Sequence, residues 1–340
     1  MNIVITGGAG FLGVRLARAL LAQGTLSLAG QAPEAIDRLT LVDRASPPTD
    51  LLADARVKSE EGDLNALLQP GPVGTAAIPA GTDLVFHLAA AVSGECEADF
   101  DLGMRSNLDA TRALLEACRA LKTRPVVVFA SSLAVFGKVP GQDLPAVIED
   151  DTLPTPQSSY GIQKFICEQL VADYSRKGFI AGRSVRPMTV SVRPGKPNGA
   201  ASGFFSGMVR EPLAGIRAQV PVPAATPVAL ASPGNTIAGF VRAAEVSDAQ
   251  WGPPTAINLP SFRSTVGDMA KALEKVAGAQ AAALLDWTPD PAIEKLVSTW
   301  PGNLAWDRAR GMGLQSDTDF EAVIRDYVRE NPQAIKLAVK

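Results

Sequence analysis

The chain opens Met1-Asn-Ile-Val-Ile-Thr6-Gly7-Gly8-Ala9-Gly10-Phe11-Leu12-Gly13, a β-branched run that passes directly into glycines and then into an apolar helical pattern. Asn2–Thr6 is expected to be a strand, and Leu12, Leu16, Leu20 and Leu21 recur at helical spacing over Phe11–Gln23. Strand, glycine turn and helix in that order form a phosphate cradle. Without side chains the backbone can approach a pyrophosphate, whose charge meets the free N–H groups at the helix start. Gly7, Gly10, Phe11 and Leu12 are the cradle residues. A tight turn of the same composition also occurs in α/β proteins that bind no dinucleotide, so the surroundings decide.

Further strands are expected at Leu39–Val42, Asp83–His87 and Pro125–Ala130. Their Val-rich, non-alternating character suits strands buried on both faces of a parallel sheet. Met104, Leu108, Leu115, Cys118 and Leu121 stripe one long helix over Asp99–Leu121. Repeated β-α order gives an α/β fold with a Rossmann-type doubly wound sheet. A Pro/Gly-rich stretch at Gln69–Gly81 reads as a surface loop.

After about residue 190 the pattern loosens into a smaller, irregular α/β C-terminal substrate domain. The expected division is therefore 1–190 for the domain that carries the phosphate cradle and 191–340 for the smaller one, with segments free to interleave. In the second half, helix signals return near Asn235–Glu245, Ser264 is the expected start of a helix over Thr265–Ala277, and Thr318-x-x-Glu321 reads as a capping box for the last helix.

Asp43 ends the second expected strand, where a carboxylate can accept from both ribose hydroxyls of a dinucleotide. It also repels a 2′-phosphate and so favours NAD over NADP, although the adjacent Arg44 pulls the other way. The Gly13–Asp43 separation exceeds the usual ~20 residues, and the excess is assigned to an inserted loop around Thr25–Ala35.

Composition narrows the partners. The chain has 340 residues, 46% of them hydrophobic and 20% charged, enough apolar content for a large core. Thirty-two basic against 35 acidic residues leave a net charge of −3, so no basic field draws it to nucleic acid or anionic lipid. Three scattered cysteines and the single His87 offer no metal site of the usual kind. The N-terminus enters a strand at once, leaving no room for a signal peptide, and no apolar run approaches bilayer length. The expectation is a soluble, cytoplasmic protein that acts on a small molecule.

Tyr160 and Lys164 stand four residues apart in Ser159-Tyr-Gly-Ile-Gln-Lys164, which places them on one helix face. A phenol is a poor base at neutral pH, but nearby positive charge stabilises its phenolate. Ser132 follows the expected strand Pro125–Ala130 at its carboxyl end, where open α/β sheets bind ligands, and its hydroxyl can hold a reacting oxygen. Singly, each of these has an ordinary reading as a helix-surface pair or a turn residue. In sequence order behind a cradle and an acidic strand end they form a proton-transfer set.

With these residues in place, the chain resembles the extended short-chain dehydrogenase/reductases, which include nucleotide-sugar epimerases and dehydratases. The resemblance rests on Thr6–Gly13, Gly62-Asp63-Leu64, His87-Leu88-Ala89-Ala90, Asn107, Ser131–Gly137 and Tyr160/Lys164. It implies that Asp63 and Leu64 contact adenine, that Ala89 lies near the cofactor, that Asn107 supports the site and that Lys164 holds the nicotinamide ribose. It further implies a homodimer through helices near 99–121 and 157–177. His87 keeps a structural reading as a strand-end residue. The family's dehydratases carry Asp-Glu after the catalytic hydroxyl residue; Leu133-Ala134 stand here and cannot transfer a proton, which argues against dehydration.

The segment 191–213 resembles the corresponding stretch of the bacterial D-erythronate dehydrogenases, relatives that oxidise the 2-hydroxyl of a four-carbon sugar acid with NAD. It offers Arg193, Lys196, Asn198, Ser202 and Arg210 to a small carboxylate. Asn198, Ser202 and Arg210 are the expected substrate contacts there, joined by Ser93, Ser132 and Tyr160. The expected reaction is hydride transfer from a secondary alcohol to NAD, with Tyr160 as general base. A nucleotide-sugar 4-epimerase that retains its NAD and a non-catalytic dinucleotide sensor remain as alternatives.

Overall fold

Short strands build the central sheet, and those at its middle are runs of Val, Ile, Leu and Phe. In the computed structural model, which describes residues 1–71, 75–195 and 200–339, they are β1 (Asn2–Thr6), β2 (Arg38–Asp43), β3 (Val57–Glu61), β4 (Leu84–His87), β5 (Val126–Ala130), β6 (Ala181–Arg186) and β7 (Ile257–Asn258). They form one seven-stranded sheet in the order β7-β6-β5-β4-β1-β2-β3, and β1 to β6 pair in parallel. Reversal of strand order at β1 and β4 creates the crevice where doubly wound sheets bind ligands. All five residues of β5 and all four of β4 are buried, as strands covered on both faces require.

The chain divides into two compact units. The first comprises Met1–Ser132, Ile162–Arg186 and Ile237–Ile257; the second comprises Leu133–Gly161, Pro187–Thr236 and Asn258–Lys340. In the first unit, Val4, Val42, Val85 and Val127 of four adjacent strands meet Leu114, Leu115 and Cys118 of the helix Ala110–Leu121. Cys167 and Val171 of the helix Ser159–Arg176 belong to the same cluster. The second unit has its own core, in which Met208 and Val209 of the helix Gly203–Leu213 join Leu273 and Val276 of the helix Val266–Ala282 and Phe320, Ile324 and Tyr327 of the helix Phe320–Glu330. A three-stranded sheet (Phe262–Thr265, Pro227–Ala231, Thr189–Val190) and a two-stranded one (Ala218–Val220, Leu285–Trp287) complete it.

Local structure departs from the sequence expectations in several places. The insertion at Thr25–Ala35 is not a plain loop: Thr25–Leu26 and Glu34–Ala35 pair antiparallel around a short turn at Leu28–Gly30. Asp99–Leu121 is not one uniform α-helix. Asp99 caps a start at Phe100, and Met104–Asp109 widens into a π-helical stretch before the α-helix resumes at Ala110. The cap of the helix at 266 is Thr265, whose side chain accepts from the Asp268 N–H, and not Ser264. Asp319 caps the last helix by accepting from the Ala322 N–H at 2.8 Å, so the Thr318–Glu321 box is not the device used. No helix among the described residues is long and apolar enough to cross a membrane.

The helix Ala110–Leu121 ends on Lys122 in the left-handed region, with φ 59°. A side chain is strained there and glycine is not. Lys122→Gly is expected to raise unfolding stability by about 0.5–1 kcal/mol, read as a higher urea midpoint at unchanged slope.

Candidate active site

The cradle is built on close backbone approach. Gly7 has φ 72°, and a Cβ on it would lie 2.8 Å from the Ala89 nitrogen. A Cβ on Gly13 would lie 2.1 Å from the Gly7 carbonyl oxygen, so the helix can seat against the turn only with glycine here. Gly10 begins the helix with no side-chain cap, and the first turn, which carries Phe11 and Leu12, has no acidic residue. The first N–H groups of a 13-residue helix therefore face outward uncapped, with the positive end of the helix dipole behind them. These features fit the pyrophosphate of a dinucleotide.

Asp43, at the end of β2, ties this turn to the next loop. One carboxylate oxygen accepts from the Ala9 N–H at 3.0 Å and the other from the Ala45 N–H at 3.3 Å. Each oxygen has a further lone pair, so the carboxylate can also receive a ribose hydroxyl. Arg44 is engaged elsewhere, its guanidinium paired with Asp63 at 2.7 Å. Asp63 also caps the short helix Leu64–Leu67 by accepting from the Asn65 N–H, and Arg44 holds its carboxyl below the usual range. Leu64, half-buried, packs on the core of the unit. The cationic neighbour that would have welcomed a 2′-phosphate is thus neutralised, which suits NAD.

Beside the cradle, Thr6, His87, Thr111 and Asn107 form a buried chain of hydrogen bonds. The Ala89 N–H reaches Thr6 Oγ1 at 3.3 Å. Thr6 Oγ1 and His87 Nδ1 are 2.7 Å apart, His87 Nε2 and Thr111 Oγ1 2.9 Å, and the Thr111 hydroxyl donates to the Asn107 carbonyl. Because Thr111 gives its proton to Asn107, it must receive one from Nε2, so Nδ1 accepts from Thr6. The ring is neutral: burial first, then Lys164, pushes its pKa down to about 3. His87 is structural, as its strand-end position suggests.

Asn107 lies inside the π-helical stretch, and its carboxamide is committed to the protein. Its oxygen accepts from the Ala91 N–H at 2.8 Å, and its nitrogen donates to the Ala91 carbonyl at 3.2 Å and to Gln163 Oε1 at 2.8 Å. It therefore pins the loop after β4 to the helix that carries the tyrosine and lysine. That is support for the site through other residues. Ser93 is buried at the first position of the helix Ser93–Ala98.

Lys164 is 3% exposed. Its ammonium donates to the Ala130 carbonyl at the end of β5 at 2.8 Å and stands 4.8 Å from the centre of the Phe129 ring. Burial lowers its pKa from 10.5 to about 8. One turn earlier on the same helix is Tyr160, in a first turn capped by the Ser158 hydroxyl, which accepts from the Gly161 N–H at 3.1 Å. Ser132 lies two residues past β5. Its neighbour Ser131 donates to Glu168, which forms a buried two-pronged ion pair with Arg186 of β6 at 2.9 and 2.8 Å. Sequence reasoning passed over Gln163, Glu168 and Arg186, although Glu168 follows Lys164 at the i+4 spacing that marks a shared helix face.

In the second unit Ser202 and Arg210 are both near Arg193. Ser202 Oγ receives Arg193 Nη2 at 3.0 Å, and Arg210 donates to the Arg193 carbonyl at 2.8 Å and to Glu211. Arg210 is therefore not an uncommitted anion receptor. Asn198 lies outside the described residues. Leu133 and Ala134 are buried in a single turn, Leu133–Val135.

Fold and cradle together define a doubly wound, dinucleotide-binding α/β protein. The chain belongs to the NAD dependent epimerase/dehydratase family, which matches residues 3–251. It is 51% identical to a D-erythronate dehydrogenase of Cupriavidus necator over 97% of this chain and 98% of that one. A D-erythronate dehydrogenase of Haemophilus influenzae is 41% identical over 96% and 99%. Among solved structures, a nucleoside-diphosphate-sugar epimerase from Agrobacterium tumefaciens superposes with a TM-score of 0.86 at 39% identity, covering 98% and 95% of the two chains. The chain is thus an NAD-dependent enzyme.

Two outcomes are expected. Between pH about 8 and the ordinary lysine value of 10.5, the unfolded chain keeps a proton that native Lys164 has released, so stability climbs with pH across that window. Urea midpoints of wild type should rise from about pH 8 to about pH 10 relative to Lys164→Met, which lacks the titrating group. Asp63→Ala should release Arg44 and shift the ratio of kcat/KM for NADP over NAD upward about tenfold, the size of one charge-assisted hydrogen bond.

Proposed function

We propose that this enzyme oxidises the 2-hydroxyl of D-erythronate, or of a closely similar short polyhydroxy acid, to the 2-oxo acid. The observation that carries the reading is 51% identity, over nearly the full length of both chains, to a D-erythronate dehydrogenase, together with an intact Ser132, Tyr160 and Lys164. Bound NAD supplies the hydride acceptor; Gly7, Gly10, Phe11, Leu12, Asp43, Asp63, Leu64 and Ala89 hold it, with Asn107 positioning the adjoining loop. Ser132 and Tyr160 bind the reacting hydroxyl, and Tyr160 takes its proton as general base. Lys164 keeps the phenol ionisable and holds the ribose. Ser93, Asn198 and Ser202 belong to the substrate side of the reading.

The Agrobacterium relative favours a second reading, a nucleotide-sugar epimerase, in which NAD is retained and regenerated. The greater identity to the dehydrogenases weighs against it. A homodimer is part of the proposal: Phe100, Ile162 and Ile166 leave apolar surface exposed on helices of the first unit. So is a cytoplasmic location, since Cys96, Cys118 and Cys167 are all buried free thiols, as a reducing compartment allows.

Purified enzyme with NAD and D-erythronate should produce NADH, followed by absorbance, faster than with unrelated hydroxy acids; equal rates would overturn the substrate. Tyr160→Phe should lower kcat by about 10²–10⁴-fold, the range for losing a general base, while NADH binding, read by fluorescence, stays intact. No net NADH with NAD copurifying in stoichiometric amount would instead support the epimerase.

A further inference from the structure

Within the second unit, two guanidinium groups lie close together and only one has an acid. Arg210, 9% exposed, is engaged through both terminal nitrogens, one on the Arg193 carbonyl and one on Glu211. The Arg193 backbone is clamped on both sides, because its N–H donates to Ser206 Oγ at 3.0 Å while its carbonyl receives Arg210. Its side chain donates through Nη2 to Ser202 Oγ at 3.0 Å. Among the described residues no carboxylate lies within ion-pair distance of Arg193.

This arrangement is costly by itself. A partly buried cation beside a second cation loses hydration and gains no counter-charge. Burial and then Arg210 lower the Arg193 pKa, whereas Tyr160, in the same unit, acts in the opposite sense. The guanidinium has five donors in a planar fork, a shape that matches a carboxylate bidentately.

The chemistry of a 2-hydroxy acid asks for such a group at this place. Its carboxylate is bonded directly to the carbon that bears the reacting hydroxyl. A base that takes the hydroxyl proton must therefore have a cation close by to receive the acid. In a nucleotide sugar the diphosphate is several bonds from the oxidised carbon, and a cation beside the phenol has no anion to meet.

We propose that Arg193 is the receptor for the substrate carboxylate, that Ser202 aims its fork, and that Arg210 with Glu211 holds its backbone without touching the acid. This rests on the 2-hydroxy-acid reading above and assigns the residue that selects for the acid. The contact exists before and during hydride transfer, so its loss falls mainly on KM.

The test compares wild type, Arg193→Met and Arg193→Lys with NAD and D-erythronate. Arg193→Met should raise KM about 100-fold or more with kcat reduced less than tenfold, and Arg193→Lys, a point charge without the fork, should lie between. NADH affinity by fluorescence should match wild type in both variants, and removal of the unpaired charge should leave the melting temperature of Arg193→Met at or above that of wild type. In parallel, oxalate with NADH present should raise the melting temperature of wild type and not of Arg193→Met. Wild-type turnover with an unchanged KM in Arg193→Met overturns the proposal while the substrate reading stands. A wild type silent on D-erythronate overturns that reading instead; oxalate protection that depends on Arg193 then still supports the carboxylate receptor, and protection independent of it overturns the receptor as well.

Discussion

Everything at this site depends on keeping an ammonium group out of water. Lys164 lies at 3% exposure against the carboxyl end of β5, bonded to the Ala130 carbonyl and facing the Phe129 ring. Burying a cation is unfavourable unless dipoles and anions are arranged to meet it. The fold provides them from its most rigid parts: a carbonyl at a strand end, an aromatic face, and Glu168 one turn along the same helix. Glu168 in turn is locked by Arg186 and Ser131, with side-chain exposures of 4% and 2% for the ion pair. Removing either partner would strand a charge in the interior, at a cost of about 3–5 kcal/mol. The strand order that brings β5 and β6 side by side is therefore also what holds the lysine.

Most of the central sheet was legible because strands buried on both faces have a plain signature. Asn2–Thr6 needs no adjustment, and Leu39–Val42 lengthens by one residue at each end. The hairpin at Thr25–Ala35 was not legible: two pairs of residues are too few for any periodicity to register. Nor was the π-helical stretch. It has no signature in local hydrophobic spacing, and its associated bonds come from side chains of Thr111 and Cys167 that meet the Asn107 carbonyl only in three dimensions. The misplaced caps have a simpler cause, since Ser, Thr and Asp cluster at both helix starts and only geometry chooses among them.

At the site, residues tied to backbone geometry were readable and those tied to side-chain partnership were not. The glycines announce a turn that excludes a Cβ, and Tyr160 and Lys164 announce a shared helix face. Arg193 and Arg210 are indistinguishable as letters in a basic, Pro/Gly-rich segment. What separates them is Glu211, which follows Arg210 and neutralises it. Arg44 presents the same problem in mirror image: beside Asp43 it suggests a 2′-phosphate, and its pairing with Asp63 across 19 residues reverses that meaning.

These pairings also limit the chemistry. Elimination of water from a sugar needs an acid for the leaving hydroxyl and a base for the neighbouring carbon, and the positions that would supply them hold buried Leu133 and Ala134. Oxidation of an alcohol asks for less: one base for the O–H proton, a hydride acceptor, and a fixed orientation. A single phenol can meet the first demand provided that its surroundings favour the anion. A buried cation held against the Ala130 carbonyl can supply such surroundings. The burial that makes Lys164 expensive to fold also strengthens its field on nearby groups.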